Sequence, residues 1–315
     1  MRKYFEEQQW QGRIDENDGE AGLRWHQKVN AFDGKTSLST GKNVVIAGFA
    51  CDEGVRRNQG RPGAAAAPTE IRKFLASKPW RDPNLSLYDA GDVLCIGEDL
   101  EGARDLQQQL IADITKHNAL PIFLGGGHEI AYGSFLGLSK NESSIGIINI
   151  DAHFDLRSKE GITSSGTPFF DISEHCKSIN MPFEYICIGI QEYGNTQALF
   201  ETAEALQVKY TTAEEVLHSL QSSIELIDSL LNKTDAIYLT LDMDVLDAAF
   251  APGVSAPASM GLLPNQVNLL LRYIAQSGKL RLMDVAEVNP KFDIDSRSSR
   301  LAAHFIAGVV DSWQY

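Results

Sequence analysis

The chain is predicted to fold as an α/β protein whose parallel sheet is covered on both faces by helices. Short apolar, β-branched runs recur along the sequence and alternate with segments of helical periodicity. Those runs are apolar throughout rather than alternating with polar residues, as strands buried on both faces require. The chemically potent residues stand directly after the runs, where sheets of this class place their ligands.

In order, residues 1–43 are polar, with Asp, Glu, Asn and Gly between 14 and 22. They read as an irregular arm, anchored by Trp10 and Trp25, on a single domain spanning 1–315. Residues 43–50 form the first buried strand by their apolar run. An Arg- and Gly-rich loop, 54–63, follows. A helix starts near 64–68 and runs through Ile71 and Phe74. Residues 85–92 give a short strand, and 99–118 a helix with Leu106, Leu110, Ile111 and Ile114 on its apolar side. Strand 121–124 runs into Gly-Gly-Gly-His-Glu at 125–129, and a helix covers 130–138. Strand 144–150 leads into Asp151-Ala-His-Phe-Asp155, then a Ser/Thr/Gly loop at 158–168. Strand 185–190 is followed by Gln191 to Thr196, helices at 196–206 and 212–231 (capped by Thr211 or Thr212), and strand 235–241. After the loop 251–257 come a helix at 264–276 with Pro264 in its first turn, a strand at 280–288 and a closing helix at 296–312.

With 315 residues, 43% of them hydrophobic, the chain can bury a large core. Its net charge of −14 argues against nucleic acid or an anionic membrane as partner, since phosphates need a surplus of Lys and Arg. No apolar run reaches membrane-spanning length, and residues 1–10 hold no apolar signal core. The four cysteines are widely spaced without a CxxC pair and read as reduced thiols. A cytoplasmic setting is expected.

The candidate metal ligands are His128, Asp151, His153, Asp155, Asp242 and Asp244. Asp151, His153 and Asp155 alternate, so an extended segment would point all three the same way. Asp242 and Asp244 repeat the device at the end of a second strand. An oxygen-rich set with imidazole and no thiolate suits Mn²⁺ or Mg²⁺, with Zn²⁺, Fe²⁺ and Ni²⁺ left open. Four crowded aspartates repel one another when empty. Two divalent cations balance them and one does not, so two metals are expected. Such a pair activates a bridging water, which makes the reaction class metal-assisted hydrolysis.

Gly-Gly-Gly-His-Glu, Asp-Ala-His-Phe-Asp and Leu-Asp-Met-Asp-Val-Leu-Asp, in that order, resemble the arginase/agmatinase (ureohydrolase) superfamily over roughly residues 44–312. The resemblance implies a three-layer α/β/α fold around a mainly parallel, about eight-stranded sheet, and a dinuclear manganese site. It implies that His128, Asp151, Asp155 and Asp242 hold one Mn²⁺ and that Asp151, His153, Asp242 and Asp244 hold the other, with Asp151 and Asp242 bridging. Glu287, in Asp-Val-Ala-Glu-Val-Asn-Pro, matches the glutamate that pairs with the substrate's amidino group, so the implied catalytic set is Glu287, Asp151 and Asp242. Charge agrees: with four aspartates neutralised, Glu287 is a surplus negative charge whose natural partner is an amidinium. Two departures stand out. Gly127 occupies a position where relatives often carry Asp, and Ser165 stands where many carry a proton-transferring histidine, so either proton delivery takes another route, such as solvent, or activity is lower than expected.

The tail of the substrate is inferred from arginines. Arg157, two residues beyond Asp155, is suited to a bidentate carboxylate clamp. Arg57 and Arg61 lie on a loop after a strand of the same sheet, and Gln191 and Asn195 are neutral where relatives bind an α-amino group with acidic residues. With Ser165, these are the expected substrate contacts. The pattern most resembles members that hydrolyse N-formimidoyl-L-glutamate, a small substrate with two carboxylates, to L-glutamate and formamide in histidine degradation. A guanidino-acid hydrolase releasing urea, and a metal-binding member without catalysis, stay open. Superfamily members are often trimers or hexamers, so a homo-oligomer is compatible.

Overall fold

The computed structural model describes residues 1–35, 38–158 and 162–314. Part of the expected 158–168 loop, residues 159–161, therefore lies outside the described residues. Ten strands among the described residues form one sheet. They are β1 (Arg2–Lys3), β2 (Asn30–Ala31), β3 (Lys42–Ala50), β4 (Leu85–Leu94), β5 (Leu120–Leu124), β6 (Ile145–Ile150), β7 (Glu184–Ile190), β8 (Lys209–Thr212), β9 (Ala236–Asp242) and β10 (Leu280–Ala286). Along the sheet the order is β1-β4-β3-β5-β10-β9-β6-β7-β8, with β2 also paired to β4. Eight strands, β3 to β10, are mutually parallel, as expected, and the two-residue β1 runs antiparallel to β4.

The helices are α1 (Glu53–Arg57), α2 (Ala67–Ala76), α3 (Leu100–Thr115), α4 (Ile130–Leu138), α5 (Pro168–Ser178), α6 (Gln197–Ala205), α7 (Ala213–His218), α8 (Gln221–Leu231), α9 (Pro264–Ala275) and α10 (Arg297–Ser312). They make the outer two layers because successive strand residues point to opposite faces. Val44, Ile46, Ile237 and Leu239 pack with α2, α8, α9 and α10. Val45, Ala47, Ile147 and Tyr238 pack with α3, α4, α5 and α6. Trp10 and Trp25 are buried in the first of these cores. Among the described residues, no helix is long and apolar enough to cross a membrane.

Four local readings need correction. The expected 54–63 loop opens with α1, whose last turn carries Arg56 and Arg57 over Glu53. The single helix expected over 212–231 is two, broken after His218 where Ser219 turns extended (φ −162°, ψ 140°). Thr212 caps α7 through a reciprocal pairing with Glu215. The strand β8 and the helix α5 went unrecognised. β8 has only four residues, two of them exposed, and α5 carries only weak apolar patterning behind Pro168.

Candidate functional site

Four neighbouring strands, β5, β10, β9 and β6, end side by side in the middle of the sheet, and each delivers one part of the site. β5 runs into Gly125–Glu129. There a Cβ on Gly126 would lie 1.5 Å from the Cys51 carbonyl oxygen, so only glycine lets the loop pass this close. The Gly127 N–H donates to that same carbonyl (3.0 Å), and His128 emerges one residue later. β9 delivers Asp242 and Asp244, β6 delivers Asp151, His153 and Asp155, and β10 delivers Glu287.

The aspartate stretches leave the sheet by the same local device. Asp151 accepts a hydrogen bond from the His153 N–H (2.7 Å), and Asp242 accepts one from the Asp244 N–H (2.8 Å). Each first aspartate thereby folds the next two residues into a tight turn. This corrects the expected mechanism of convergence. Strand β6 stops at Ile150 and residues 151–153 bend, so the pleat of an extended strand does not align the three ligands. Asp155 faces the cluster because its backbone is left-handed (φ 48°). Glu287 is also left-handed (φ 64°). Its backbone N–H donates to the Gly126 carbonyl (2.8 Å), and its Oε1 accepts from the His128 N–H (3.0 Å). Two non-glycine residues held in this sparsely populated region, both aimed at one point, mark a functional site.

His128 Nδ1 lies 3.1 Å from an Asp151 oxygen, 3.0 Å from Asp155 and 3.1 Å from Asp242. His153 Nδ1 lies 3.1 Å from Asp244 and 3.6 Å from Asp151. Two donor groups result: His128, Asp151, Asp155 and Asp242, and Asp151, His153 and Asp244, each with its ligand atoms within 4.8 Å of one another. Asp151 belongs to both. Asp242 belongs to the first and reaches the second through its hydrogen bond to the Asp244 backbone.

The surroundings fix these side chains. His128 Nε2 is 3.0 Å from Thr240 Oγ1, which turns Nδ1 toward the carboxylates, and the ring stands edge-on to Phe169. Asn149 Nδ2 donates to Asp151 (2.9 Å) and to the Tyr185 hydroxyl (3.1 Å). Asn195 accepts from the Phe154 N–H (3.1 Å) and donates to the Ala152 carbonyl (2.9 Å), clasping the 151–155 turn from β7's side.

Electrostatically the cluster is short of positive charge. Burial raises the Asp155 carboxyl, and the charge of Asp151 raises it further, to about 6. Burial and then Asp242 push Asp244 well above the ordinary carboxylate range. Glu287 is pushed well up by burial, then by Asp242, Glu129 and Asp244. Burial alone would lower His128, but the carboxylates of Asp151, Asp155 and Asp242 packed around its Nδ1 outweigh that and raise it strongly. Buried atoms without a hydrogen-bond partner cluster here: His128 Nδ1, Asp244 Oδ1 and Glu287 Oε2. Octahedral ligands about 2.1 Å from a cation stand about 3 Å apart, close to the observed Nδ1-to-oxygen spacings. The donor set therefore fits hard divalent cations.

A cavity of about 140 Å³ opens over the cluster, and its lining includes His153, Asp155, Asp242, Asp244 and Glu287. Arg157 and Ser165 line it as well. The Arg157 guanidinium makes no hydrogen bond or ion pair among the described residues. Four expected substrate contacts are not brought to this cavity. Arg57 is held by Glu53 (2.9 Å), Glu101 (2.8 Å) and the Glu98 carbonyl (2.9 Å). Arg61 donates to the Ser255 and Val254 carbonyls (2.8 and 2.5 Å) and stacks over Phe292. Gln191 donates to the Met260 carbonyl (2.6 Å), and Asn195 holds the 151–155 turn. These side chains satisfy backbone and carboxylate partners that the sequence could not bring beside them. Asn58, Gly60, Ser255 and Ala256 also line the cavity and went unassigned, although Asn58 sits inside the Arg-Asn-Gln-Gly-Arg stretch.

Known proteins share this arrangement. A profile of the arginase family matches residues 42–310. The chain is 48% identical over 301 residues to a formimidoylglutamase of Aeromonas salmonicida, covering 94% of this chain and 95% of that one. It is 46% identical over 310 residues to a formimidoylglutamase of Ralstonia nicotianae, covering 96% and 94%. Among solved structures, the formimidoylglutamase of Bacillus subtilis superposes with a TM-score of 0.83 at 26% identity, covering 92% and 91% of the two chains. The Trypanosoma cruzi formiminoglutamase solved with Mn²⁺ gives 0.77 at 25% identity, covering 88% and 95%.

Proposed function

This chain belongs to the arginase family, and we propose that within it the chain hydrolyses N-formimidoyl-L-glutamate to L-glutamate and formamide. The observation that carries this reading is the polarity of the cavity. Its lining includes both Glu287, whose buried Oε2 has no hydrogen-bond partner among the described residues, and Arg157, whose guanidinium has none among them either. A substrate that is cationic at its reacting carbon and anionic at its tail matches both. Agmatine has no carboxylate for Arg157. The near-full-length identity to formimidoylglutamases supports the same choice.

His128, Asp151, His153, Asp155, Asp242 and Asp244 would hold two Mn²⁺ per subunit. Bound there, the pair supplies a water acidified enough to act as hydroxide near neutral pH. Glu287 receives the amidinium N–H groups and orients the formimidoyl carbon toward the metal cluster. The amidinium in turn lets Glu287 stay ionised in a buried site that otherwise raises it. Arg157 clamps a substrate carboxylate, which fixes the distance between tail and reacting carbon. Thr240 and Asn149 hold His128 and Asp151 in register.

A substrate panel with Mn²⁺-loaded protein tests this reading. Formamide and glutamate are expected from N-formimidoyl-L-glutamate, while urea release from a guanidino acid in preference would replace it. Arg157→Ala is expected to raise KM about ten- to a hundredfold, the worth of a charge-assisted hydrogen bond. An unchanged KM would remove Arg157 from the clamp. Binding of less than one metal per chain after loading would remove catalysis altogether.

A further inference from the structure

N-formimidoyl-L-glutamate carries two carboxylates, and among the described lining residues of the cavity Arg157 is the only arginine or lysine. One carboxylate therefore needs another donor. Outside the metal-ligand cluster and Glu287, the other side chains that line it are Asn58, Ser165, Leu199, Ser255 and Ala256. The Ser165 and Ser255 hydroxyls each offer a single O–H, and Ser255 Oγ is fixed in place by accepting from the Arg61 N–H (2.8 Å). Among the described lining residues, Asn58 alone carries a carboxamide.

Asn58 is held as a site residue is held. It caps the C-terminus of α1, with its N–H donating to the Gly54 carbonyl (2.9 Å). The helix beneath it is pinned by Arg56 and Arg57 on Glu53, and by Arg57 on Glu101 and the Thr163 carbonyl. The arginines that seemed suited to the substrate thus fix the turn that presents Asn58. Across the gap, a Cβ on Gly166 would stand 3.0 Å from Asn58 Oδ1, 2.9 Å from Arg157 Cδ and 3.1 Å from Arg157 Nε. The bare glycine leaves the space that both side chains border. The carboxamide and the guanidinium therefore border one space in a cavity that Glu287 also lines.

We infer that Asn58 is a specificity-determining residue, its carboxamide donating to the substrate carboxylate that Arg157 does not hold. This rests on the formimidoylglutamate reading above. An amide donor suits the place better than another arginine would, because it adds a hydrogen bond without drawing the acidic cluster into a competing ion pair.

The test compares three substrates on Mn²⁺-loaded wild type, Asn58→Ala and Asn58→Asp, with metal content measured for each. They are N-formimidoyl-L-glutamate, its 2-aminobutyrate counterpart lacking the γ-carboxylate, and its 4-aminobutyrate counterpart lacking the α-carboxylate. For the full substrate, Asn58→Ala is expected to raise KM about tenfold and Asn58→Asp about a hundredfold, the second through like-charge repulsion, with kcat moving far less. The alanine effect is expected to vanish with one of the two truncated substrates. An unchanged KM in Asn58→Ala, or an equal rise on all three substrates, overturns the assignment of Asn58 while wild-type turnover keeps the reaction standing. If wild type releases no formamide from N-formimidoyl-L-glutamate, the substrate reading falls and the assignment of Asn58 falls with it.

Discussion

Two groups of buried aspartates sit on the same sheet, and they are neutralised differently. Asp89 and Asp92, on β4, close around Arg72 from α2, which is fully buried and donates to Asp89 at 2.7 and 3.0 Å and to Asp92 at 2.6 Å. Trp10 adds a hydrogen bond to Asp89 (2.6 Å) and so ties the N-terminal segment to this knot. Among the described residues, Asp151, Asp155, Asp242 and Asp244 have no arginine or lysine among them, only two histidines. Where the chain supplies its own cation, a carboxylate cluster is a structural staple. Where the described residues supply none, the cluster is a candidate receptor for a cation from outside. Burial and acidity are common to both, so the presence or absence of an internal partner is what separates structure from function here.

Breaking the receptor is expected to have the largest effect. Asp242→Asn should cost several kcal/mol of transition-state stabilisation, on the order of a thousandfold in formamide release. Chelated, metal-free protein should be no less stable than wild type, because one repelling carboxylate is gone. Metal content and thermal melts of the chelated variants would show both. Full metal loading with wild-type turnover would place Asp242 with the structural group instead.

The staple should answer in the opposite sense. Arg72→Met leaves two buried carboxylates without their cation and is expected to cost about 3–5 kcal/mol in urea unfolding. The folded fraction should keep its metal stoichiometry. A neutral outcome in unfolding would mean that water reaches Asp89 and Asp92.

A smaller effect is expected at the support of the receptor. Thr240→Val removes the partner of His128 Nε2, and metal affinity should fall about ten- to a hundredfold with little change in chemical unfolding. Calorimetric titration of metal-free protein with Mn²⁺ reads this directly.

The most graded effect is that of pH. His128 and His153 are both raised in the metal-free cluster, His153 through Asp244 and Asp151 against its burial, so metal already competes with protons near neutrality. Below about 6, Asp155 must also lose a proton to bind, and affinity should steepen its fall by about tenfold per pH unit. The same shift sets the sign for the metal-free fold. Asp155 is raised above its unfolded value of about 3.9, so its proton stabilises the metal-free fold below about 4, and that contribution is lost as pH rises through about 6. A Mn²⁺ affinity independent of pH between 5 and 7 would show that the aspartates are neutralised by something other than the metal.

The layer architecture was legible in local pattern, and so were the acidic residues that the structure brings together. Buried strands must be apolar on both faces, and that pattern is local, so β3, β5, β6, β9 and β10 were legible within a residue or two. The site's position followed from the same logic, since Asp242 ends a strand and His128, Asp151 and Glu287 stand shortly after one. Short or weakly patterned elements such as β8 and α1 carry too few residues to show a period. The rest depended on contacts between distant parts of the chain. The order β5-β10-β9-β6 makes neighbours of four strand ends far apart in sequence, and no local pattern encodes that order. Left-handed backbone at Asp155 and Glu287, rather than strand pleat, aims their carboxylates, because the surrounding contacts outweigh the cost of that conformation. The arginines were decided in the same way. Arg57, Arg61 and Arg157 look alike in the sequence, but a guanidinium goes to whichever oxygens the fold brings within reach. For Arg57 and Arg61 those are the protein's own, and for Arg157, among the described residues, none is.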